Sequence, residues 1–352
     1  MHIVVVGAGA IGTLIGAYLS HEGHQVTLVG RPHQRAALRA HPLRVHLPDG
    51  TLLQSPADAE DRLRDILGRR AVDMVIVTVK AYDTESVVRE LEGTRASPYV
   101  LTLQNGVGNE EAFARVVGKE RVLSGAITTP VEVVSTGEVR VARASYRLGL
   151  AAMVPWEEAM KVLRTVGKSL AQTAFKVQYV RDYRALKWSK LLMNITANAQ
   201  AALLGWTPAR VFAHPAAGTL EVRAWREALA VMQRLRIHPI NFGGYPLYYV
   251  APLIRLLPIR WVRPAMGKFV ASGRGDKMPS VYLDLKKGKG KTEVPWLNGA
   301  VARHGEHVGV PVPVNATFDA LVAAVAAGEI PWDTFRNHPE RILDAVRERE
   351  GR

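Results

Sequence analysis

Residues 3–6 of this chain are all β-branched and run straight into glycines at 7, 9 and 12. Ile11, Leu14, Ile15, Tyr18 and Leu19 then form an apolar, helix-compatible segment. The pattern predicts strand, tight turn and helix. Apolar strand patterns return at 25–30, 73–79 and 99–105, with helix-compatible stretches at 84–91 and 109–117, and 121–150 is rich in short strand patterns. Apolar strands that alternate with helices predict an α/β unit, a mostly parallel sheet covered by helices, with room for an antiparallel edge.

The character changes in the second half. From about Arg181 helical periodicity dominates, over 184–204, 220–235, 281–286, 292–307 and 315–327. Proline and glycine fill 237–279, and 339–352 reads as a charged, frayed helix. The reading is an α/β domain over 1–179 and an all-α domain over 180–352.

The first turn carries the clearest chemistry. Gly7 permits the turn, Gly9 allows a pyrophosphate to approach the backbone, and Gly12 lets the helix lie close to the strand. The free N–H groups of the helix start then suit a phosphate. The Rossmann-type cofactor set is therefore Gly7, Ala8, Gly9, Ala10, Ile11 and Gly12; the bland alternative is a βα turn without a ligand. The second strand pattern ends in Arg31, with Arg35 close behind, and no acid lies between Glu22 and Asp49. A guanidinium there suits a ribose 2′-phosphate, where a carboxylate would repel it, so NADPH is expected over NADH. Ordinary surface arginines are the alternative. Parallel sheets bind ligands at the C-terminal ends of their strands. Gly7, Arg31, Lys80 and Asn105 all fall at such ends.

Composition narrows the classes. There is no cysteine among 352 residues, which excludes disulfides, thiolate metal sites and a cysteine nucleophile. The chain enters its first strand directly, so no signal peptide is expected, and the apolar region 245–261 is broken by Arg255, Arg260 and three prolines. A cytoplasmic protein with no membrane partner is the expectation. Net charge is +14, with one cluster at Lys286, Lys287, Lys289 and Lys291. No module interleaves aromatic residues with these bases, so solvated surface and anionic small molecules explain the charge better than nucleic acid. His304 and His307 lack a third ligand, so no metal is expected, and no nucleophile elbow supports hydrolysis. Thr128, Thr129 and Pro130 could touch a nicotinamide or simply end a strand.

Lys190, Asn194 and Asn198 stand at i, i+4 and i+8, which on one helix makes a polar stripe beside buried Leu191, Leu192 and Ile195. A line facing a cleft, an interhelical hydrogen-bond network and a solvent face all fit that spacing.

Taken together, the ordered motifs resemble the ketopantoate reductase (2-dehydropantoate 2-reductase) family over nearly the whole chain. The matches are Gly7 to Gly12, Arg31, Val79-Lys80-Ala81, Leu103-Gln104-Asn105-Gly106-Val107-Gly108, the Lys190–Asn194–Asn198 spacing, Pro279-Ser280 with Asp284, and Thr292-Glu293 with Leu297-Asn298-Gly299. The resemblance implies a Rossmann domain joined to a helical domain like that of 6-phosphogluconate dehydrogenase, and NADPH-dependent reduction of ketopantoate to pantoate, toward pantothenate and coenzyme A. It implies Lys190 as general acid, with Glu293 as its catalytic companion, anchoring a substrate hydroxyl or helping to orient the lysine. Asn105, Asn194, Asn198 and Ser280 would hold the substrate, and Lys80 and Asn105 would reach the cofactor. Ser280 as a helix cap, Glu293 as an exposed helix-start carboxylate and Lys80 as a loop lysine are the bland alternatives.

The chain departs from the family pattern at Val294-Pro295, in the lysine loop before Glu293, which is one residue longer, and in the long stretch between Asn198 and Ser280. That stretch could line a larger pocket, cover a homodimer surface or simply pack in the core. Another branched or bulkier 2-keto acid is therefore the alternative substrate. A non-catalytic NADPH-binding sensor is the alternative of a different class.

Overall fold

The computed structural model describes residues 1–94, 96–274 and 277–351, with side chains of 271–274 excepted. They form two compact units. One comprises Met1–Gln104, Gly108–Lys187 and Phe242–Gly244; the other comprises Asn105–Val107, Trp188–Asn241 and the chain from Tyr245 on.

In the first unit, β1 (His2–Val6), α1 (Ala10–His21), β2 (Gln25–Val29) and α2 (Pro32–Ala40) open the chain. There follow β3 (Leu43–His46), β4 (Leu52–Ser55), β5 (Asp58–Glu60), α3 (Leu63–Leu67), β6 (Met74–Val77), α4 (Thr84–Leu91), β7 (Tyr99–Thr102) and α5 (Asn109–Val117). Then come β8 (Val122–Thr128), β9 (Val131–Ser135), β10 (Glu138–Val141), β11 (Tyr146–Ala152), α6 (Glu157–Ala171) and β12 (Phe175–Tyr179). The main sheet has the order β12-β11-β8-β7-β6-β1-β2-β5. All neighbours are parallel except β11 with β8. A smaller sheet has the order β4-β3-β10-β9.

Both faces of the main sheet are buried, which is why its strands read as unbroken apolar runs. Ile3, Val5, Leu28, Ile76, Leu101 and Leu123 join one core with α1 and α6. Val4, Val6, Val29, Val75, Val77 and Val100 join a second core with α3, α4 and α5. Alternate residues of β1 thus feed opposite cores, as the two-residue period of a strand requires. The elements from α2 to α3, together with α6 and β12, were not anticipated from the pattern. Their strands are short and half exposed, so alternation is weak there.

The second unit is helical. Helix α7 (Tyr183–Ile195) begins in the first unit, which it leaves after Lys187. It is followed by α8 (Ala199–Leu204), α9 (Pro208–Ala213), α10 (Pro215–Arg234), α11 (Leu247–Leu256), α12 (Ile259–Arg274) and α13 (Ser280–Lys286). The last three are α14 (Asn298–His307), α15 (Pro313–Ala327) and α16 (Pro339–Glu350).

Four sequence expectations are corrected here. The single helix expected over 184–204 is two, broken after Ile195. The helix expected from 292 begins at Asn298, after a 3-10 turn at Val294–Trp296. The proline-rich stretch 237–279 contains α11 and α12, with Pro252 and Pro264 inside them. Each proline frees the carbonyl four residues earlier, at Tyr248 and Arg260, and both residues are exposed, so water can satisfy it. Finally, α16 is not frayed, because Ile342 and Val346 are buried and it lies against α10 and α15.

Candidate active site

The nucleotide turn is built by contact distances too short for any side chain. Gly7 has φ +113, and a Cβ there would stand 2.8 Å from Thr78 Oγ1 and from the Val79 nitrogen. A Cβ on Gly12 would stand 1.8 Å from the Gly7 carbonyl oxygen. Thr78 Oγ1 donates to that carbonyl at 2.8 Å, and the Gly7 N–H donates to the Val29 carbonyl at 2.9 Å, so the turn is tied to two strands.

Gly9 differs. It is the N-cap of α1, its backbone is extended, and nothing lies within 4 Å of where its Cβ would be. No side chain caps α1, and its first turn carries no acid. Open space over an uncapped helix start fits a pyrophosphate. Ala8 is buried, and Ala10 and Ile11 are half-buried beside it.

Arg31 is exposed at the N-cap of α2, where its N–H donates to Gln34 Oε1 at 3.0 Å. It makes no ion pair among the described residues. Arg35 is already engaged, 3.2 Å from Glu60, and Arg39 lies 2.7 Å from the same carboxylate. Glu60 arrives through β5, which pairs with β2, so an acid stands near the end of β2 after all. Two guanidiniums neutralise it. That leaves Arg31 to meet a 2′-phosphate, and the donor set fits NADPH.

Lys80 is half-buried at the N-cap of a 3-10 turn, Ala81–Asp83. Its loop is held by Gln104, which sequence reasoning passed over. The buried Gln104 Nε2 donates to the Val79 carbonyl at 3.1 Å and to Thr84 Oγ1 at 2.9 Å. Lys187, also unanticipated, is 3 % exposed; its Nζ donates to the Gln104 carbonyl at 2.6 Å and pairs with Glu110 at 3.1 Å. Ser124 Oγ donates to the same Glu110 carboxylate at 2.7 Å. The signal available was a lysine at i−4 and i−8 from the buried Leu191 and Ile195. Burial, with the Glu110 charge beside it, pushes the neighbouring Glu111 above the usual carboxylate range.

In the second unit the residues expected to hold the substrate are linked one to the next. Asn194 Nδ2 donates to Asn105 Oδ1 at 3.2 Å, and Asn198 Nδ2 donates to the Asn194 carbonyl at 3.0 Å. Asn198 Oδ1 accepts from the Val281 N–H at 3.4 Å, beside Ser280. Ser280 is exposed and is the first residue of α13, whose cap is Pro279, so it is not a side-chain cap. Lys190 is half-buried one turn before Asn194 on α7.

Glu293 is buried, not the exposed helix-start carboxylate weighed above. Its carbonyl accepts from the Trp296 N–H at 2.9 Å, and the Trp296 carbonyl accepts from the Val107 N–H at 3.1 Å. Gly106 has φ +86, and a Cβ there would stand 2.5 Å from the Trp296 Cβ. The loop bearing Asn105 therefore rests directly on the turn bearing Glu293.

The stripe of Lys190, Asn194 and Asn198 on one continuous helix is corrected. Asn198 is the N-cap of α8, beyond the break. Ala197 takes φ +43, and its N–H donates at 2.7 Å to Glu221, a carboxylate with no solvent exposure. Thr196 Oγ1 turns back to the Leu192 carbonyl and accepts from Trp225 Nε1 at 2.9 Å. The break keeps Asn198 against Asn194 by a side-chain bond instead of helical register. Among the described residues, no group of three His, Asp or Glu could hold a metal ion, and no helix is long and apolar enough to cross a membrane.

Comparison with known proteins agrees with this arrangement. The family model described as ketopantoate reductase PanE/ApbA matches residues 3–153, and its C-terminal counterpart matches 182–326. The 2-dehydropantoate 2-reductase of Archaeoglobus fulgidus is 29 % identical over 93 % of this chain and 98 % of its own. That of Halobacterium salinarum is also 29 % identical, over 92 % and 98 %. Among solved structures, the PanE/ApbA family ketopantoate reductase from Ralstonia eutropha JMP134 superposes with a TM-score of 0.77 at 23 % identity, covering 94 % of this chain and 99 % of that one. D-mandelate dehydrogenase, in its ternary structure with NADH and anilino(oxo)acetate, gives 0.75 at 21 %, covering 93 % and 99 %. With both halves matched in order and nearly full length shared, this chain belongs to the ketopantoate reductase family of NADP-dependent oxidoreductases.

Proposed function

We propose that the protein reduces 2-dehydropantoate to pantoate with NADPH, a cytoplasmic step toward pantothenate and coenzyme A, and that it does so as a homodimer. NADPH, when bound, supplies a hydride to the 2-keto carbon. The carbonyl oxygen then gains negative charge and needs a proton. Lys190, as an ammonium, donates it and stabilises the charge while it forms. Asn105, Asn194 and Asn198 offer both donors and acceptors for the substrate carboxylate and hydroxyl, and Ser280 offers a further donor. Glu293 orients the lysine or accepts from the substrate hydroxyl. Gly7 to Gly12 and Arg31 hold the pyrophosphate and 2′-phosphate, and Lys80 contacts the nucleotide.

The observation that supports this most is the unbroken line of contacts from Asn105 through Asn194 to Asn198, ending beside Ser280. Polar amides joined in one line suit a small oxygenated acid better than a packed core.

Steady-state kinetics with 2-dehydropantoate and NADPH, against pyruvate and 2-ketoisovalerate, test it. The expected result is the highest kcat/KM for 2-dehydropantoate, and a rise of about tenfold or more in the KM for NADPH, not NADH, in Arg31→Gln. Benzoylformate, the keto acid corresponding to mandelate, belongs in the panel, and a preference for it would replace the substrate. NADPH binding without turnover on any of these acids would make the protein a sensor.

A further inference from the structure

Two of the residues proposed to hold the keto acid stand at the starts of short helices. Asn198 is the N-cap of α8, which has six residues, and Ser280 is the first residue of α13, which has seven. Helices this short are not stable alone, so their placement depends on what grips them. At the site they are joined by one bond, from the Val281 N–H to Asn198 Oδ1. The rest of the grip comes from the other end of α8.

The last carbonyls of a helix have no partner within it. In α8 the local cap serves two of them. The Gly205 N–H donates to the Ala202 carbonyl at 3.3 Å, and the Trp206 N–H donates to that of Ala201 at 3.1 Å. The carbonyls of Leu203 and Leu204 remain, and neither residue has any solvent exposure, so each needs a protein donor. Both donors come from beyond residue 326, the last residue matched by the family's C-terminal model. Trp332 Nε1 donates to the Leu203 carbonyl at 3.1 Å and shares its proton with that of Ala202 at 2.9 Å. The Asn337 N–H donates to the Leu204 carbonyl at 3.1 Å. Asn337 takes φ +61, which asparagine tolerates better than most residues, and its Oδ1 accepts from Trp206 Nε1 at 2.6 Å.

The same indole reaches α13. The Trp332 and Tyr282 rings meet edge to face with centroids 5.3 Å apart, and Tyr282 lies two residues after Ser280. The Arg336 guanidinium sits over the Trp332 ring, 5.6 Å from its centroid, and 3.4 Å from Asp333, so the ring is also held from its own turn. One side chain therefore ties the far end of the helix that begins at Asn198 to the helix that begins at Ser280.

We infer that Trp332 is a positioning residue for the keto acid, acting through α8 and α13 on Asn198 and Ser280. The inference rests on the reading that these two residues hold the acid. Lys190 lies on α7, before the break, and the nucleotide turn lies in the first unit, so the effect falls on the KM for the acid. Trp332→Phe keeps a ring against Tyr282 and removes only the N–H. It raises the KM for 2-dehydropantoate about tenfold, the worth of one aligned hydrogen bond, and leaves kcat within about twofold and the KM for NADPH unchanged. Tyr282→Leu, at a half-buried position, loosens the tie at α13 and raises the same KM several-fold. Ile342→Ala is the structural control. Ile342 is fully buried on α16, which packs on α10 and α15, so its loss lowers the melting temperature and leaves the KM native. In Asn198→Ala the KM is already raised, and adding Trp332→Phe raises it no further. A native KM for the acid in both Trp332→Phe and Tyr282→Leu overturns the inference. So does an equal rise in Ile342→Ala, which makes Trp332 a fold element only, or a further tenfold rise in the double variant, which removes the route through Asn198. A native KM in Asn198→Ala instead overturns the assignment of Asn198 itself, and this role with it.

Discussion

Two breaks in the backbone carry the polar groups of this protein, and they are made by opposite means. At residues 7–12 the chain turns because glycines allow contacts that no other residue could make. At 196–198 it turns because a buried carboxylate from α10 seizes the Ala197 N–H and holds a non-glycine residue at positive φ. The glycines that permit the first break lie within ten residues, although Val29 and Thr78 hold the turn in place. The second needs Glu221 and Trp225, which arrive only when α10 packs. A turn whose permitting residues are contiguous can be recognised in the sequence, while one made by a distant carboxylate depends on how its whole unit packs.

The largest expected effect tests whether the second break serves chemistry. Lys190→Ala should lower kcat by about 10²–10⁴-fold, the usual worth of a positioned proton donor. NADPH affinity should stay unchanged, because the nucleotide turn lies in the first unit. Single-turnover kinetics and NADPH fluorescence titration read the two separately. A variant with near-native kcat would leave the asparagine line as mere structure.

Lys187 comes next, three residues earlier on the same helix and chemically unlike Lys190. Removing one partner of a buried ion pair costs about 3–5 kcal/mol, so Lys187→Met should lower the melting temperature sharply. Lys187→Met/Glu110→Gln removes both charges and should recover most of that loss. If the pair also positions Gln104, and through it Asn105, kcat stays about tenfold low in the double variant while stability returns. Recovery of both would reduce the pair to a fold element.

Much of this contrast could be read from the sequence, for physical reasons. The glycine turn was legible because its cause is contiguous with its effect. Asn105 and Lys80 were legible as strand ends of a parallel sheet. Asn194 and Asn198 stay joined although the helix between them is broken, since their spacing survives as a side-chain bond. Glu60 beside Arg35 was not legible, because it depends on which short strand pairs with β2. Nor was the helical state of α11 and α12, where proline in a solvent-facing turn costs less than proline in a buried one.

The glycines of the first break separate fold from ligand. Gly12→Ala drives a methyl into the Gly7 carbonyl and should leave little folded protein. Gly9→Ala meets nothing, so the melting temperature of the free protein should hold within a degree or so, consistent with a site free of contacts. Its methyl would instead crowd the pyrophosphate, and the NADPH dissociation constant should rise on the order of tenfold. Unchanged affinity in Gly9→Ala would remove the phosphate from that turn.

The smallest effect is the most diagnostic of the second break. In the interior of a continuous helix, Ala→Gly costs about 1 kcal/mol, and loss of a buried methyl adds roughly 0.8 kcal/mol. At Ala197 the helical term is absent, and a left-handed alanine stores about 1–2 kcal/mol that glycine releases. The released strain exceeds the lost methyl by roughly 0.2–1.2 kcal/mol. Ala197→Gly should therefore leave unfolding free energy about unchanged or raise it by up to about 1 kcal/mol in urea titration, against a loss near 2 kcal/mol if 184–204 were one helix. The same substitution at Ala201, inside α8, supplies the helical reference, and a loss at 197 as large as at 201 would restore the unbroken helix.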